Sequence, residues 1–502
     1  MDEKHPQCSA KTPDEIGRLD RALISGVAWT GGSRWLAQIY TWPATVVIAR
    51  VLGPEAYGFM AVSTIFTRFL SVIAEAGLGY AIIMSPDVSR STIRQLNTVA
   101  VLLGCAAVVM AMALSPYVAA FFGEEAVRTV ILALSVIFVI EALAIVPVAV
   151  LRREFRYKEL AISEFSRSIS DTTITLCLAV AGFGYWALVC GYLGGAMISL
   201  FITAYFGRQG YELPRAAQVR PFMVFGLNFV SQGISSLICS SADIAVAGRL
   251  LGASTTGQYV FALTLAATPL EKITSLVTRV TPGLFLEVRQ DPDSLKRYLT
   301  SITRHLALAA FPLLFGLAAI ANEFFHIVMG PSWAGAVWPM RLLCAHVAIA
   351  SVFALLPQIL QACGRPGIPT RQAWIAAVVL PLLFIIFGSA WGAVGIAAGW
   401  LVGALVINAP LLVATLRVAH TSLLEYVSSM WPAASASALM IVTVQLTRSV
   451  IASFDIWPPL QLLAMIAVGA ATYILVLLVF HRQVVNQMTG YWRGKRLELE
   501  QK

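Results

Sequence analysis

Eight ionisable residues sit where ionisable residues are costly. Arg34, Arg68, Arg167 and Lys272 bring positive charge, and Glu75, Glu141, Asp171 and Asp243 negative charge, into stretches that are otherwise apolar. A charge near mid-bilayer costs ~2.5–3.5 kcal/mol on insertion scales, so each needs a partner or a task. Guanidinium groups match phosphate oxygens bidentately, and an ammonium acts as a compact point charge. The four cations are therefore candidate substrate-binding residues for a phosphate-bearing anion. A carboxylate held out of water can carry a proton, which makes Glu75, Glu141, Asp171 and Asp243 candidates for ion coupling. Each has a structural alternative. Glu271 can neutralise Lys272, and Glu164, Arg167 and Asp171, spaced by three and four, share one helical face and can satisfy one another. Glu75 follows Arg68 by two turns, ~10 Å, too far for a direct pair. Arg279 reads as a snorkelling residue, and the lone His346 as a satisfied core histidine.

The elements that must carry these residues are membrane spans. The chain has 502 residues, 58% hydrophobic and only 12% charged, where soluble domains average about 25% charged. Apolar segments recur near 23–49, 57–83, 97–121, 127–150, 160–181, 185–206, 221–247, 257–281, 301–325, 334–362, 372–388, 391–416, 428–448 and 457–480. They predict an all-α polytopic membrane protein of about fourteen transmembrane helices. Most Lys and Arg fall in the two tails and every second loop, and only Arg50, Arg128, Arg249 and Arg448 fall in the others. The positive-inside bias then puts both termini in the cytoplasm. The net charge of +9 is membrane topology rather than a nucleic-acid footprint. Seven scattered cysteines form no metal or disulfide pattern, and GxxxxGK[ST], HExxH and GxSxG are absent, so neither a cofactor nor an enzyme is expected.

The chain repeats itself. Arg50-Val-Leu-Gly53 followed by Gly58 returns 199 residues later as Arg249-Leu-Leu-Gly252 followed by Gly257, and Gly184, Gly191 and Gly195 return as Gly392, Gly399 and Gly403. Pro147 similarly matches Pro357. Two six-helix halves in parallel pseudo-repeat follow, 23–218 and 219–420, with two additional helices over 421–480 and polar tails at 1–22 and 481–502. Glycines at 191, 195, 399 and 403 read as close-packing points, and Pro147, Pro269, Pro312 and Pro357 as kinks. Trp35, Trp42, Trp333, Trp338, Trp431 and Trp457 stand near span ends and read as interfacial anchors.

The stretches Arg50-Val-Leu-Gly-Pro-Glu-Ala-Tyr-Gly-Phe59, Glu75-Ala-Gly-Leu-Gly79 and Leu151-Arg-Arg-Glu-Phe-Arg-Tyr157 resemble the polysaccharide transporter family. That family, with its Wzx-type flippases, belongs to the multidrug/oligosaccharidyl-lipid/polysaccharide exporter superfamily. The resemblance implies alternating-access movement of undecaprenyl-pyrophosphate-linked sugar repeat units across the bacterial inner membrane for surface polysaccharide synthesis. It implies membrane lipids, a polysaccharide polymerase and glycosyltransferases as partners. Related lipid II flippases use basic residues of their first, second and eighth helices, which by position suggests Arg34, Arg68 and Lys272. The alternatives are an ion-coupled exporter of organic cations from the same superfamily, and a non-transporting scaffold for glycan synthesis.

Overall fold

In a computed structural model of the chain, the backbone is described over residues 13–85, 88–454 and 457–483. Side chains are described over the same residues except 13–31, 34, 228, 229, 232, 269, 270, 272, 273, 275, 276, 279 and 280. Helices account for the architecture, and no strand occurs among the described residues. In hydrocarbon every backbone N–H and C=O must be satisfied within its own segment, and these apolar runs do so as helices.

The first elements are α1 (Pro13–Glu75), α2 (Leu78–Met84), α3 (Arg90–Phe122), α4 (Glu125–Leu134), α5 (Val136–Arg153), α6 (Tyr157–Val180) and α7 (Trp186–Phe206). Next come α8 (Ala216–Val288), α9 (Pro292–Ala319) and the short α10 (Ala321–Glu323), which runs into a π-helical turn (Phe324–Met329) and a 3-10 turn (Pro331–Ala336). The chain ends in α11 (Val337–Phe353), α12 (Leu356–Ala362), α13 (Gly367–Val418), α14 (Leu423–Ile451) and α15 (Pro458–Phe480). Among the described residues, ten helical stretches are long and apolar enough to cross a membrane. The α6 helix, with Glu164, Arg167 and Asp171 within two turns, is not among them.

Among the described residues, three helices, α1, α8 and α13, are long enough to cross twice. The 52 residues of α13 would extend ~78 Å, against about 30 Å of hydrocarbon. Each long helix breaks at one glycine: α1 at Gly53 (φ 73°, ψ 173°), α8 at Gly252 (φ 75°, ψ 172°) and α13 at Gly392 (φ 60°, ψ −139°). These glycine breaks are distinct from the bends expected at prolines. Helix continues through Pro147 and Pro312, and the backbone of α8 runs on past Pro269, while Pro357 opens α12. The reason is geometric: proline holds φ near −65°, whereas these breaks need positive φ, which glycine alone adopts freely.

The repeat is visible in the backbone. Gly53 and Gly252 agree within 2° in both angles, and Gly184 (φ 58°) matches Gly392 (φ 60°).

Contacts divide the chain into two compact units, one of residues 1–52 and 62–236, the other of 53–61 and 237–502. In the first, Leu78, Ile82, Leu96, Val146 and Val219 form a fully packed core. The loop 207–215 is strapped to α3: Thr98 donates to the Glu212 carbonyl at 2.8 Å, Ser91 to its carboxylate at 2.9 Å, and the Arg215 N–H donates to Gln95 at 2.9 Å. In the second, Phe285, Leu299, Leu355, Ile359, Leu411 and Tyr426 form one cluster, and Met440, Met465 and Tyr473 another that binds α14 and α15 to α9. Asp291 caps α9, and hydrogen bonds from Ser294 and the first-turn N–H groups hold its carboxyl below the usual carboxylate range.

Candidate functional site: a charged cavity in the first unit

The first unit encloses a cavity of about 330 Å³ whose wall carries Glu75, Glu141, Arg152, Ser163, Glu164 and Arg167. Glu75 is the last residue of α1. Immediately after it Ala76 (φ 46°) and Gly77 (φ 63°) turn left-handed, and a side chain on Gly77 would lie 2.6 Å from the Gly226 carbonyl, so the turn cannot relax toward α8. That junction fixes Glu75 at the cavity and starts α2, which adds Tyr80. The α5 helix supplies Glu141 and, about three turns on, Arg152.

The α6 helix supplies Ser163, Glu164 and Arg167 from one face, and α7 supplies Ser199 and Thr203. Glycine permits this helix pair. A Cβ on Gly195 would lie 2.8 Å from both the Arg167 carbonyl and the Asp171 Cβ, and one on Gly191 2.8 Å from the Asp171 carbonyl. Across the same seam Ser163 and Ser199 hydroxyls meet at 2.8 Å.

Ser71 donates to Glu141 Oε2 at 2.8 Å. Arg167 and Arg68 both act electrostatically on Glu141, as Glu141 and Arg152 do on Glu75. Asp171 feels Arg167 and accepts a long bond from Thr175 at 3.4 Å. The structure thus gathers Arg68, Glu75, Glu141, Arg167 and Asp171 into one electrostatic cluster.

The expected self-pairing of the α6 triad is not what Arg167 does. Its guanidinium lies 5.6 Å above the Tyr192 ring, and it has no ion pair within 4.0 Å among the described residues. Stacking on α7 turns the group across the seam rather than along its own helix.

Three residues escaped the sequence reading. Arg152 looked like a loop cation, and its place at the end of an apolar run carried no further signal. Ser71 and Tyr192 are ordinary span residues until folding sets them beside Glu141 and Arg167. The side chains of Arg34, Lys272 and Arg279 lie outside the described residues.

Asp243 is elsewhere, in the second unit, fully buried. Its Oδ2 accepts from the Tyr259 hydroxyl at 2.8 Å and from Trp400 Nε1 at 2.9 Å. His346 is the core histidine expected in part: it bonds the Trp400 backbone and its ring lies 4.9 Å from that of Trp400, but its Nδ1 is buried without a hydrogen-bond partner. Trp333 is also a correction. It is fully buried against Phe261 at 4.8 Å and Tyr57 at 5.7 Å, since the 3-10 turn at Pro331 folds it inward, whereas Trp35, Trp42, Trp338, Trp431 and Trp457 are exposed.

Comparison with known proteins agrees with this architecture. Residues 47–338 match the family described as polysaccharide biosynthesis protein. The lipopolysaccharide biosynthesis protein WzxC of Escherichia coli is 24% identical over 82% of this chain and 85% of its own length. The succinoglycan biosynthesis transport protein ExoT of Rhizobium meliloti is 25% identical over 90% of this chain and 91% of its own. Among solved structures, the lipid II flippase MurJ in an inward closed conformation aligns with a TM-score of 0.72 at 14% identity, covering 91% of this chain and 99% of that one. That likeness concerns the fold.

Proposed function

This chain belongs to the polysaccharide biosynthesis protein family, and we propose that it is a flippase of lipid-linked oligosaccharides, moving a polyprenyl-pyrophosphate-borne sugar unit across the bacterial inner membrane by alternating access. The relatives named for lipopolysaccharide and succinoglycan biosynthesis support a surface glycan as the destination, and the shared fold supports transport rather than catalysis. On this reading the chain crosses fourteen times with both termini cytoplasmic, and its protein partners are the polymerase and glycosyltransferases of the same glycan.

The observation that carries the reading is the charged cavity inside an apolar helix bundle. A buried cluster of both signs is expensive, and a fold meant only to sit in lipid gains nothing from it. At about 330 Å³ the cavity is at the low end of small-molecule sites, ~300–1,000 Å³. It is sized for a phosphate or one sugar rather than a whole repeat unit. Arg167 on the cavity wall, aided by Arg68 through its action on Glu141, meets the anionic part of the head group. Glu75, Glu141 and Asp171, relieved of those arginines, take up the compensating proton or cation. Arg34 and Lys272 extend the cationic path.

A second reading has a specific observation in its favour: three carboxylates, Glu75, Glu141 and Glu164, face two arginines on the cavity wall. That balance suits an exporter of organic cations. The lipid-linked sugar pool of cells lacking the protein decides between them. Glycolipid stranded on the cytoplasmic face, cleared by the intact protein but not by Arg68→Ala/Arg167→Ala at equal membrane abundance, supports the flippase. A normal pool together with lost resistance to cationic dyes favours the exporter.

A further inference from the structure

We propose that the first unit carries a groove for a single polyisoprenoid chain, the tail of the lipid-linked substrate, on a different flank of α1 from the one that serves the charged cavity. The groove has a volume of about 380 Å³ and is built by two helices. Ile65, Phe66 and Phe69 come from one face of α1, and Leu114, Tyr117 and Phe121, at spacings of three and four, from one face of α3. Among the described residues no charged side chain lines it, and the Tyr117 hydroxyl is its one polar side-chain group. All of it lies within the first unit.

Spacing makes α1 two-sided. Arg68, Ser71 and Glu75 serve the charged cavity: Arg68 acts on Glu141, Ser71 donates to it at 2.8 Å, and Glu75 stands on the wall. At ~100° per residue, Phe66 and Phe69 project from another side of the same helix. The α3 helix is two-sided as well. Its small residues Gly104, Ala107, Ala111, Ser115 and Ala119 are buried, and a Cβ on Gly104 would lie 2.6 Å from the Ala142 Cβ, so this face is pressed onto α5. The large side chains of the next face stay open, with Tyr117 73% and Phe121 56% exposed. Pro116 lacks the N–H that would bond the Met112 carbonyl, and Ser115 donates to that carbonyl at 3.0 Å instead, so α3 stays helical beside the groove.

The medium and the wall together select the occupant. The α3 wall runs from Leu114 to the helix end at Phe122, ~12 Å of rise, which is most of one leaflet of a hydrocarbon core about 30 Å thick. Glu124 and Glu125 follow it toward water. On the flippase reading, with its cytoplasmic termini, this is the outer leaflet. Lipid tails are as apolar as the groove, so the hydrophobic effect gives no preference there and selectivity rests on packing. A saturated acyl chain gives up rotamer freedom on entering a fixed groove. The double bonds of a polyisoprenoid do not rotate, so it has fewer torsions to fix, and its methyl branches and double bonds meet aromatic rings that are themselves cheap to hold in place. One helix thus turns cation and carboxylate toward the head group on one side and a shaped aromatic surface toward the tail on another.

The identity of the chain rests on the flippase reading and the groove on its lining, and the two fail separately. The purified full chain, in nanodiscs of phosphatidylethanolamine and phosphatidylglycerol, would be photolabelled with a diazirine-bearing undecaprenyl phosphate, and the labelled peptides identified by mass spectrometry. Wild type, Leu114→Trp, Phe69→Leu and Val109→Trp would be compared, Val109 being exposed on α3 outside the groove. The expected label falls in 62–69 and 114–122 and is displaced by unlabelled undecaprenyl phosphate but not by added phosphatidylglycerol. Leu114→Trp fills the groove and is expected to lower labelling roughly tenfold. Phe69→Leu, which removes a ring without adding bulk, is expected to lower it severalfold and serves in its place if circular dichroism shows Leu114→Trp misfolded. Val109→Trp should label as wild type. Label retained in both groove variants, or spread evenly over the exposed face of α15, overturns the groove. Displacement by phosphatidylglycerol overturns the isoprenoid in favour of a phospholipid chain, and cross-links between copies through 114–122 overturn it in favour of a second copy of this chain. In cells, Leu114→Trp is expected to slow clearance of the stranded lipid-linked sugar at least fivefold, and normal clearance despite lost label overturns the role in transport. If the sugar pool never depends on the protein at all, the flippase reading fails while the labelling still decides the groove.

Discussion

Gly58 and Gly257 occupy equivalent places after the two matching breaks, and each presses its α-carbon onto the backbone of the other's corner. A Cβ on Gly58 would overlap the Ala253 carbonyl, and one on Gly257 would overlap the Pro54 carbonyl. Residues 54 and 253, like 58 and 257, are 199 positions apart, so the two contacts exchange under the repeat, as across a local two-fold axis. All four residues belong to the second unit, and Tyr57 beside them stacks edge-on against Phe261 at 5.6 Å.

Gly58→Ala and Gly257→Ala are therefore expected to destabilise the protein by ~1–3 kcal/mol each, the usual cost of overpacking. Gly32→Ala is the contrasting case, in open space on α1. It removes a helix-interior glycine and is expected to be neutral or to stabilise by about 0.5–1 kcal/mol. Thermal unfolding of the purified variants in one detergent checks the opposite signs, and equal melting temperatures for Gly58→Ala and wild type would sink the account of the corner.

Gly195→Ala and Gly403→Ala replace glycines at corresponding positions of the repeat but meet different obstacles. The first drives its Cβ toward the Arg167 carbonyl and the Asp171 Cβ, both at 2.8 Å, while the second meets the end of the Leu380 side chain at 2.5 Å. Leu380 can change rotamer, whereas the α6 backbone at Arg167 cannot move without carrying Arg167 and Asp171 with it. Gly195→Ala is expected to lower both melting temperature and glycan export, and Gly403→Ala to affect export little. Export measured at matched membrane abundance separates the two.

Much of the frame was legible because hydrocarbon imposes a simple rule on composition. The spans, the charged face of α6 and the repeated glycines follow from local spacing. What spacing cannot supply is which helix faces which. The bond from Ser71 to Glu141 joins residues 70 apart, and that from Trp400 to Asp243 joins residues 157 apart. Trp333 shows a different limit. A tryptophan at a span end suits an interface and a buried corner equally, and only the Pro331 turn and the rings of Tyr57 and Phe261 decide it.

Arg167 offers a test of the cavity that does not depend on naming the glycan. Arg167→Lys keeps the charge but loses the planar group stacked over Tyr192 at 5.6 Å, and Arg167→Ala loses both. Charge-assisted bonds contribute ~1.5–3 kcal/mol, so Arg167→Ala is expected to slow export roughly tenfold to a hundredfold. Arg167→Lys should fall between it and wild type. Quantifying surface polymer against membrane-bound protein reads this order, and full export by Arg167→Ala would remove Arg167 from the substrate path.

The last two helices, an appendix to the repeat in sequence, are tied to the second unit by an ion pair that can be cut from either side. Arg448 near the end of α14 donates from Nε to Glu323 Oε1 at 2.5 Å, and from Nη1 to Gln445 at 3.1 Å. Glu323 is 9% exposed, and its other oxygen is buried without a partner. Removing Arg448 leaves that carboxylate a long bond from Asn322 at 3.4 Å and, as the cation acting on it, Arg341, whose guanidinium is engaged over Trp338 at 4.8 Å. Stranding one charge should cost more than removing both. Arg448→Met is accordingly expected to destabilise by ~1–3 kcal/mol, less than for a deeply buried pair because the arginine side chain keeps 30% of its exposure. Adding Glu323→Gln should recover most of that loss, since the neutral amide can stay in the same place without a counter-charge. A double-mutant cycle on thermal unfolding measures the coupling. A double variant as unstable as the sum of its singles would show that the Met440, Met465 and Tyr473 cluster holds α14 and α15 without help from the pair.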